Sequence, residues 1–164
     1  MIIMGIDPGL AIVGFGVVKL EGHKIRPLSY GTIQTEAKTP IPLRLGQIYR
    51  EMNNLIEEYR PDEVAFEELF FNRNTTTAIT VAQARGVEIL ACHEGGIPIY
   101  EYTPLQVKQA VVGYGRAEKH QVQEMVRMLL CLDAIPRPDD AADGLAIALT
   151  HAHSQGHKSL FLME

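Results

Sequence analysis

The order in which strand-like and helix-like segments follow one another constrains the fold of this chain more than any other feature. Three segments rich in β-branched and aromatic residues come first, at 2–7, 12–20 and 25–35. Helical patterns follow and alternate with two more strands: the helices are predicted at 41–59, 74–96, 104–112, 119–132 and 140–154, and the strands at 63–67 and 97–102. A meander followed by alternating units predicts an α/β fold, with a mixed five-stranded sheet and helices on both faces.

The composition is typical of one globular domain. The chain has 164 residues, of which 46% are hydrophobic and 21% charged, so we predict a single domain over residues 1–154 and a loose C-terminal tail over 155–164. Apolar runs stay well below the roughly 20 residues of a membrane span, so no membrane partner is expected. Cys92 and Cys131 form no Cys-x-x-Cys pair and lie in apolar helical patterns, which predicts reduced core thiols in a cytoplasmic protein.

Three apolar segments each end in, or carry, acidic side chains that have no obvious cation nearby in the sequence. Asp7 ends the first strand and is followed by a Pro-Gly turn, and Glu67 ends the fourth strand. Asp140 and Asp143 lie three residues apart on the last predicted helix, so they share one face of it. Taken singly, each acid has an ordinary explanation: a turn residue, a solvated strand end, or a helix cap. Their expected convergence is what favours a functional site.

Four converging acids would need compensating charge, because carboxylates cannot all stay ionised at close range. The residues around Asp143 are almost all apolar, which predicts a helix buried on most sides and a carboxylate that needs a partner. Two divalent cations would balance Asp7, Glu67, Asp140 and Asp143, and carboxylate oxygens favour Mg²⁺ or Mn²⁺ over zinc. Such a pair of ions supports hydrolysis of a phosphodiester. The acids therefore predict a metal-dependent nuclease.

The charge distribution is compatible with a nucleic-acid substrate although the net charge is −5. Residues 104–131 contain four basic and two acidic side chains, whereas the rest of the chain is strongly acidic. A local basic face matters more to a phosphate backbone than the total charge does. The glycine-rich stretch GYGRAEK at 113–119 lies inside this region and predicts a loop that could follow a backbone.

Five motifs, in order and with matching spacing, resemble the RuvC family of Holliday-junction resolvases. They are GIDPG at 5–9, E-x-x-F at 67–70, QARG at 83–86, QVKQAVVGYGRAEKHQV at 106–122 and DAADGLAIALTH at 140–151. The resemblance covers nearly the whole chain and implies a ribonuclease H-like fold. It also implies a bacterial homodimer that nicks two opposing strands of a four-way DNA junction during recombination and repair. A branch-migration motor complex is implied as a further partner.

The resemblance also assigns roles to individual residues. By motif match, two Mg²⁺ ions, for which Mn²⁺ could substitute, would be bound by Asp7, Glu67, Asp140 and Asp143. Two lysines would lie by the scissile phosphate, Lys108 and Lys119, although surface lysines are the ordinary alternative. The DNA-binding residues would be Phe70 as an aromatic wedge, with Phe71, Arg73, Arg85 and Arg116. The histidines near the C-terminus, which include His151, are instead predicted to lie on the surface.

Three other interpretations stay open. GIDPG followed by IVGFGVV resembles the first phosphate-binding hairpin of actin-like ATPases and sugar kinases, but those folds need two domains and this chain is too short for them. A ribonuclease H-like nuclease that processes RNA is a closer alternative. A non-catalytic DNA-binding module is the third, and it predicts that the four acids are dispensable.

Overall fold

A mixed five-stranded sheet organises the chain in the computed structural model, which describes residues 1–69 and 75–163. The strands are β1 (Ile2–Asp7), β2 (Ile12–Glu21), β3 (Lys24–Gln34), β4 (Glu63–Glu67) and β5 (Ile99–Tyr102). The helices are α1 (Ile41–Tyr59), α2 (Thr75–Glu94), α3 (Pro104–Val112), α4 (Lys119–Leu129) and α5 (Asp139–His153). The strand order is β3-β2-β1-β4-β5, antiparallel from β3 to β1 and parallel from β1 to β5. The predicted α/β fold with a mixed sheet is confirmed.

Helices cover both faces of the sheet, and strand alternation decides which residues each face receives. Along β1, Ile3 packs into the core under α3, α4 and α5, whereas Met4 and Ile6 pack into the core under α1 and α2. Because both faces are covered, the central strand is apolar without interruption until its last residue. None of the helices in residues 1–69 and 75–163 is long and apolar enough to cross a membrane.

Helix α5 lies so close to the sheet that side chains are excluded from the contact. A Cβ atom on Gly144 would lie 2.5 Å from the carbonyl carbon of Phe15 and 2.7 Å from the amide nitrogen of Gly16. A Cβ atom on Gly16 would in turn lie 2.5 Å from the amide nitrogen of Leu145. The prediction that this helix is buried on most sides is confirmed, since eleven of its fifteen residues are buried. The glycines allow backbone-to-backbone contact between α5 and β2.

The prediction of a loose tail from residue 155 is wrong. A 3₁₀ helix at Lys158–Phe161 follows α5, and the backbone N–H of Met163 donates to the carbonyl of Ile99 at 2.9 Å. The Phe161 ring packs on Tyr102 with a centroid separation of 4.6 Å. Strand β5 is the edge of the sheet, and its rings Tyr100 and Tyr102 are buried with this segment in place. Burying apolar surface against an open sheet edge stabilises the docked position of the segment.

His151 is not a surface histidine, contrary to the sequence prediction. It is fully buried, its Nε2 lies 2.7 Å from Glu63 Oε2, and its Nδ1 lies 2.8 Å from the Tyr102 hydroxyl. Burial alone would raise the pKa of Glu63, but hydrogen bonds from Lys158, His151 and Gln155 outweigh it and lower that pKa. Glu63 is therefore an ionised acceptor. We assign the His151 ring proton to Nε2, which donates to Glu63, and Nδ1 accepts a hydrogen bond from the Tyr102 hydroxyl.

The two cysteines are both free, but only one is a core thiol. Cys92 is buried in α2, as predicted, and Cys131 is exposed. Helix α4 ends at Leu129, and Cys131 follows in a left-handed conformation with φ 53°. The helical pattern continues past the point where the chain turns, so the predicted core position of Cys131 is wrong.

Candidate active site

Strands β1 and β4 bring Asp7 and Glu67 to the same edge of the sheet. The two strands are parallel neighbours, and Ile6 lies beside Phe66, so the acids come next at matching positions. Strand alternation gives their side chains the same face as Gly5 and Ala65, which is the face that α5 covers. Two carboxylates thus end neighbouring parallel strands, at the position where α/β sheets commonly bind ligands.

The first turn of α5 brings Asp140 and Asp143 to the same place. A Cβ atom on Gly14 would collide with the carbonyl oxygen of Asp140, so this turn lies directly on β2 beside Asp7. Pro138 occupies the N-cap position, and no side chain in the described residues makes a capping hydrogen bond there. The explanation of Asp140 as a simple helix cap is therefore excluded.

The four acids interact electrostatically. Burial, followed by the charges of Glu67, Asp143 and Asp140, raises the pKa of Asp7 to about 8, with Lys119 acting in the opposite direction. Burial and then Asp143 raise the pKa of Glu67 to about 7, against the effect of Lys108 and Lys119. Burial also raises the pKa of Asp143 even though Lys119 opposes it. The site therefore holds more negative charge than its two lysines compensate.

Both predicted lysines line the same cleft as two of the acids. The cleft encloses about 220 Å³, and it is lined by Glu67, Pro104, Val107, Lys108, Lys119, Val122, Asp143 and Ala146. Lys119 Nζ lies 3.0 Å from Asp143 Oδ2 and 3.9 Å from Asp139 Oδ2, while its side chain stays 56% exposed. Burial would lower the pKa of Lys119, but its hydrogen bond with Asp143 outweighs this and raises it.

The acids face one another without being gathered at ligand distance. Among residues 1–69 and 75–163, no three histidine, cysteine, aspartate or glutamate side chains are close enough together to hold a metal ion. Mutual repulsion and the ion pair between Lys119 and Asp143 both favour this open arrangement. The structure thus places the four predicted acids within electrostatic range, with their carboxylates still apart.

The predicted DNA-binding residues fall into three groups. Arg116 is exposed in the loop before α4, where it is free to meet a phosphate. Arg85 is instead half-buried and ion-paired with Glu101, and its predicted contact with a phosphate stays a prediction. Phe70, Phe71 and Arg73 lie outside the described residues, and their roles stay predictions.

Glu88 is a residue near this site that the sequence predictions missed. It is fully buried on α2, on the other face of the sheet from α5. Burial raises its pKa to about 8, the backbone N–H of Gly9 opposes that shift, and Asp7 adds to it. A sequence signal existed, because Glu88 interrupts the buried stripe formed by Ala84, Ala91 and Cys92.

Comparisons with known proteins agree with this geometry. A family model described as crossover junction endodeoxyribonuclease RuvC matches residues 3–151. A protein of that name from Brevibacillus brevis is 62% identical over 160 residues, which cover 98% of this chain and 96% of the relative. Thermus thermophilus RuvC superposes with a TM-score of 0.91 at 41% identity, covering 99% of this chain and 100% of that one.

A second Thermus thermophilus RuvC structure, in complex with a Holliday junction substrate, superposes with a TM-score of 0.90 at 39% identity and covers 99% of this chain and 100% of that one. The predicted ribonuclease H-like fold and the predicted family are both confirmed by these matches. The chain belongs to the RuvC family of crossover junction endodeoxyribonucleases.

Proposed function

We propose that this chain resolves four-way DNA junctions by nicking two opposing strands symmetrically, through phosphodiester hydrolysis assisted by two divalent cations. Family membership supplies the reaction class. One observation carries the assignment to a site: Glu67 of β4 and Asp143 of α5 line one cleft with Lys108 and Lys119. The charges of both acids act on Asp7 of β1, and the pKa values of Asp7 and Glu67 rise to about 8 and 7. Carboxyl groups with raised pKa values beside a cleft are typical of functional sites.

The donor set fits a hard divalent cation. Asp7, Glu67, Asp140 and Asp143 offer oxygen ligands alone, which suit Mg²⁺ and also Mn²⁺. Their charge is compensated by Lys119 and Lys108 only in part. Added positive charge would relieve the repulsion that, after burial, helps to raise the pKa values of Asp7 and Glu67. When bound, two such ions would activate a water molecule and stabilise the leaving oxygen. The rigid ends of β1 and β4 would orient the acids, and close packing would fix α5 above them.

The lysines would bind the phosphate. Lys108 lines the cleft from α3, and Lys119 begins α4 at its mouth. The Lys119 ammonium is mostly exposed and pairs with Asp143, which would itself become a metal ligand. Lys119 could then exchange Asp143 for a phosphate oxygen. An ammonium at that position stabilises the negative charge that develops on the phosphate. The apolar walls of the cleft, formed by Val107 and Val122 among others, would exclude water around the reacting group.

Paired cuts require two copies of this site related by a two-fold axis, so the active form is expected to be a homodimer. Helix α2 offers an interface between Thr77 and Ala91. Ile79 is 63% exposed and Leu90 is 47% exposed, and both lie on one outward stripe of the helix with Gly86 between them. A second copy of α2 packing on this stripe would cover both side chains. Two arms of the junction would then face two identical clefts.

The junction itself would be held by residues around the clefts. Phe70 is proposed to stack on bases at the junction centre, with Phe71, Arg73 and Arg116 on the flanking backbone. A related structure contains a Holliday junction substrate, which supports this class of ligand. A branch-migration motor complex is proposed as a further partner. The two free cysteines favour the bacterial cytoplasm as the place of action.

The test compares a synthetic four-way junction, a linear duplex and an RNA–DNA hybrid, each with and without Mg²⁺. We expect paired nicks in the junction alone, and only with metal. Asp7→Asn should abolish cutting and leave junction binding intact, whereas Glu57→Gln, at an exposed acid of α1, should cut like the wild type. Cutting by Asp7→Asn would refute the site, and preferred cleavage of the hybrid would assign the chain to RNA processing instead.

A further inference from the structure

Lys119 lies between two acids near the start of α5 and can pair with either of them. Its Nζ is 3.0 Å from Oδ2 of Asp143 and 3.9 Å from Oδ2 of Asp139. The two acids are four residues apart on α5, so they project from the same face of the helix, and Lys119 approaches that face from the start of α4. An ammonium in this place can change partners without leaving the mouth of the cleft.

Asp139 is oriented by Arg137 and differs from Asp143 in its relation to the cleft. Nη1 of Arg137 pairs with Oδ1 of Asp139, which leaves Oδ2 for Lys119. Among the described residues, Asp143 lines the cleft whereas Asp139 does not. An acid at the start of a helix also interacts favourably with the helix dipole, which is the ordinary explanation of Asp139. That explanation does not require its second contact, with the lysine of the cleft.

Binding of cations would give the two acids different roles. In the proposed function, on which this inference rests, Asp143 becomes a metal ligand, so Lys119 loses the closer of its two partners. We infer that Asp139 is a positioning residue for Lys119: it takes over the ammonium when cations occupy Asp143, and it keeps that ammonium at the mouth of the cleft, where a phosphate would arrive. A shift of about 1 Å would bring Lys119 Nζ to hydrogen-bonding distance of Asp139 Oδ2.

The test is a double-mutant cycle on the affinity for Mn²⁺, titrated calorimetrically as the metal alone into the DNA-free protein. Asp139→Asn should weaken Mn²⁺ binding by about 3-fold, the size expected of one exposed ion pair, because the displaced ammonium then has no acid to replace Asp143. In the Lys119→Met background the same substitution should leave the affinity nearly unchanged, because no ammonium remains to be displaced. Asp139→Glu should restore wild-type affinity. Asp133→Asn, at an exposed acid of the loop before α5, is the matched control and should bind Mn²⁺ like the wild type.

Cleavage of a four-way junction gives a second readout of the same cycle. Asp139→Asn should slow cleavage by about 3-fold when Lys119 is present and should have no further effect in Lys119→Met. The side chains of Lys119 and Asp139 are 56% and 40% exposed, so we expect these variants to fold, and melting temperatures would verify this.

Three outcomes would overturn the inference. An equal loss of Mn²⁺ affinity in both backgrounds would show that Asp139 binds the metal or acts through its charge alone. Wild-type affinity in Asp139→Asn would leave Asp139 with its role at the helix dipole, and failure of both Asp139 variants to fold would make that role purely structural. Cleavage by Asp7→Asn, or a wild type that does not bind Mn²⁺, marks failure of the proposed function itself. An inactive Asp7→Asn beside a cycle without coupling between positions 139 and 119 would remove the positioning role alone.

Discussion

Replacing Asp7 by asparagine should stabilise the metal-free protein while it abolishes cleavage. The native state raises the pKa of Asp7 from 3.8 to about 8, first by burial and then through the neighbouring acids. At pH 7 the unfolded chain therefore ionises Asp7 and the native state keeps it protonated, which costs native stability about 4 kcal/mol at most. Asparagine avoids this cost but is itself partly desolvated, so we expect a gain of about 2–4 kcal/mol, or roughly 5–15 °C in melting temperature.

The stability difference between Asp7→Asn and the wild type should depend on pH. Because the folded-state pKa is raised, the stability associated with Asp7 is fully present below pH 3.8 and is lost as the pH rises towards 8. The advantage of Asp7→Asn should therefore grow between about pH 4 and pH 8 and vanish in acid. Melting temperatures by circular dichroism in EDTA, across this range, measure the difference. Glu57→Gln on the surface of α1 should show no such growth. An Asp7→Asn variant no more stable than the wild type at pH 8 would show that burial and the neighbouring acids do not raise the pKa of Asp7.

Two further predictions concern the contact of α5 with the sheet and the lysine at the cleft mouth. Gly144→Ala should lower the free energy of unfolding by about 1–3 kcal/mol or more in urea denaturation, because its Cβ atom would meet the backbone of Phe15. Gly46→Ala on α1 is its control, since the new Cβ atom would meet only the mobile end of Arg50 at 3.3 Å, and unchanged stability of Gly144→Ala would contradict the close approach. Lys119→Met should slow junction cleavage by about 100-fold with binding retained, because it removes a positive charge beside the phosphate. A wild-type rate would show that Lys119 is only the ion-pair partner of Asp143.

Most of the fold followed from the sequence because hydrophobic patterning and turn chemistry agree locally. The predicted start of α3 at residue 104 is confirmed, and Thr103 just before it forms a capping box with Gln106. The sequence could not place the C-terminal segment or His151. Their positions depend on long-range partners, namely Glu63 and the rings of β5. The local sequence near residue 151 does not indicate a hydrogen-bond partner 88 residues away. Helical periodicity also says nothing about where α4 turns at Cys131.

Some features of the candidate site could also be predicted from the sequence, and others could not. The acids could be predicted to share a location, because parallel strand ends and a buried helix leave few alternatives for charged groups. Their separation could not be predicted, since it depends on a balance between mutual repulsion and the ion pair between Lys119 and Asp143. The ion pair of Arg85 could not be predicted, because its partner Glu101 belongs to another element. Glu88 was not among the predicted site residues, although it interrupts the apolar stripe of α2 formed by Ala84, Ala91 and Cys92.

The glycines of the α5 contact and the charge of the acids should be coupled energetically. Repulsion among the acids would be relieved if α5 moved away from the sheet, and the glycines at positions 144 and 16 are what allow α5 to pack so close to it. A methyl group at position 144 would push α5 outwards, so the pKa of Asp7 should fall and Asp7→Asn should gain less stability. We therefore expect the double variant with Gly144→Ala to be non-additive by about 1 kcal/mol at pH 8, and additive near pH 4, where Asp7 is protonated in the native state. Additivity at both pH values would mean that burial alone, and not the proximity of α5, raises the pKa of Asp7.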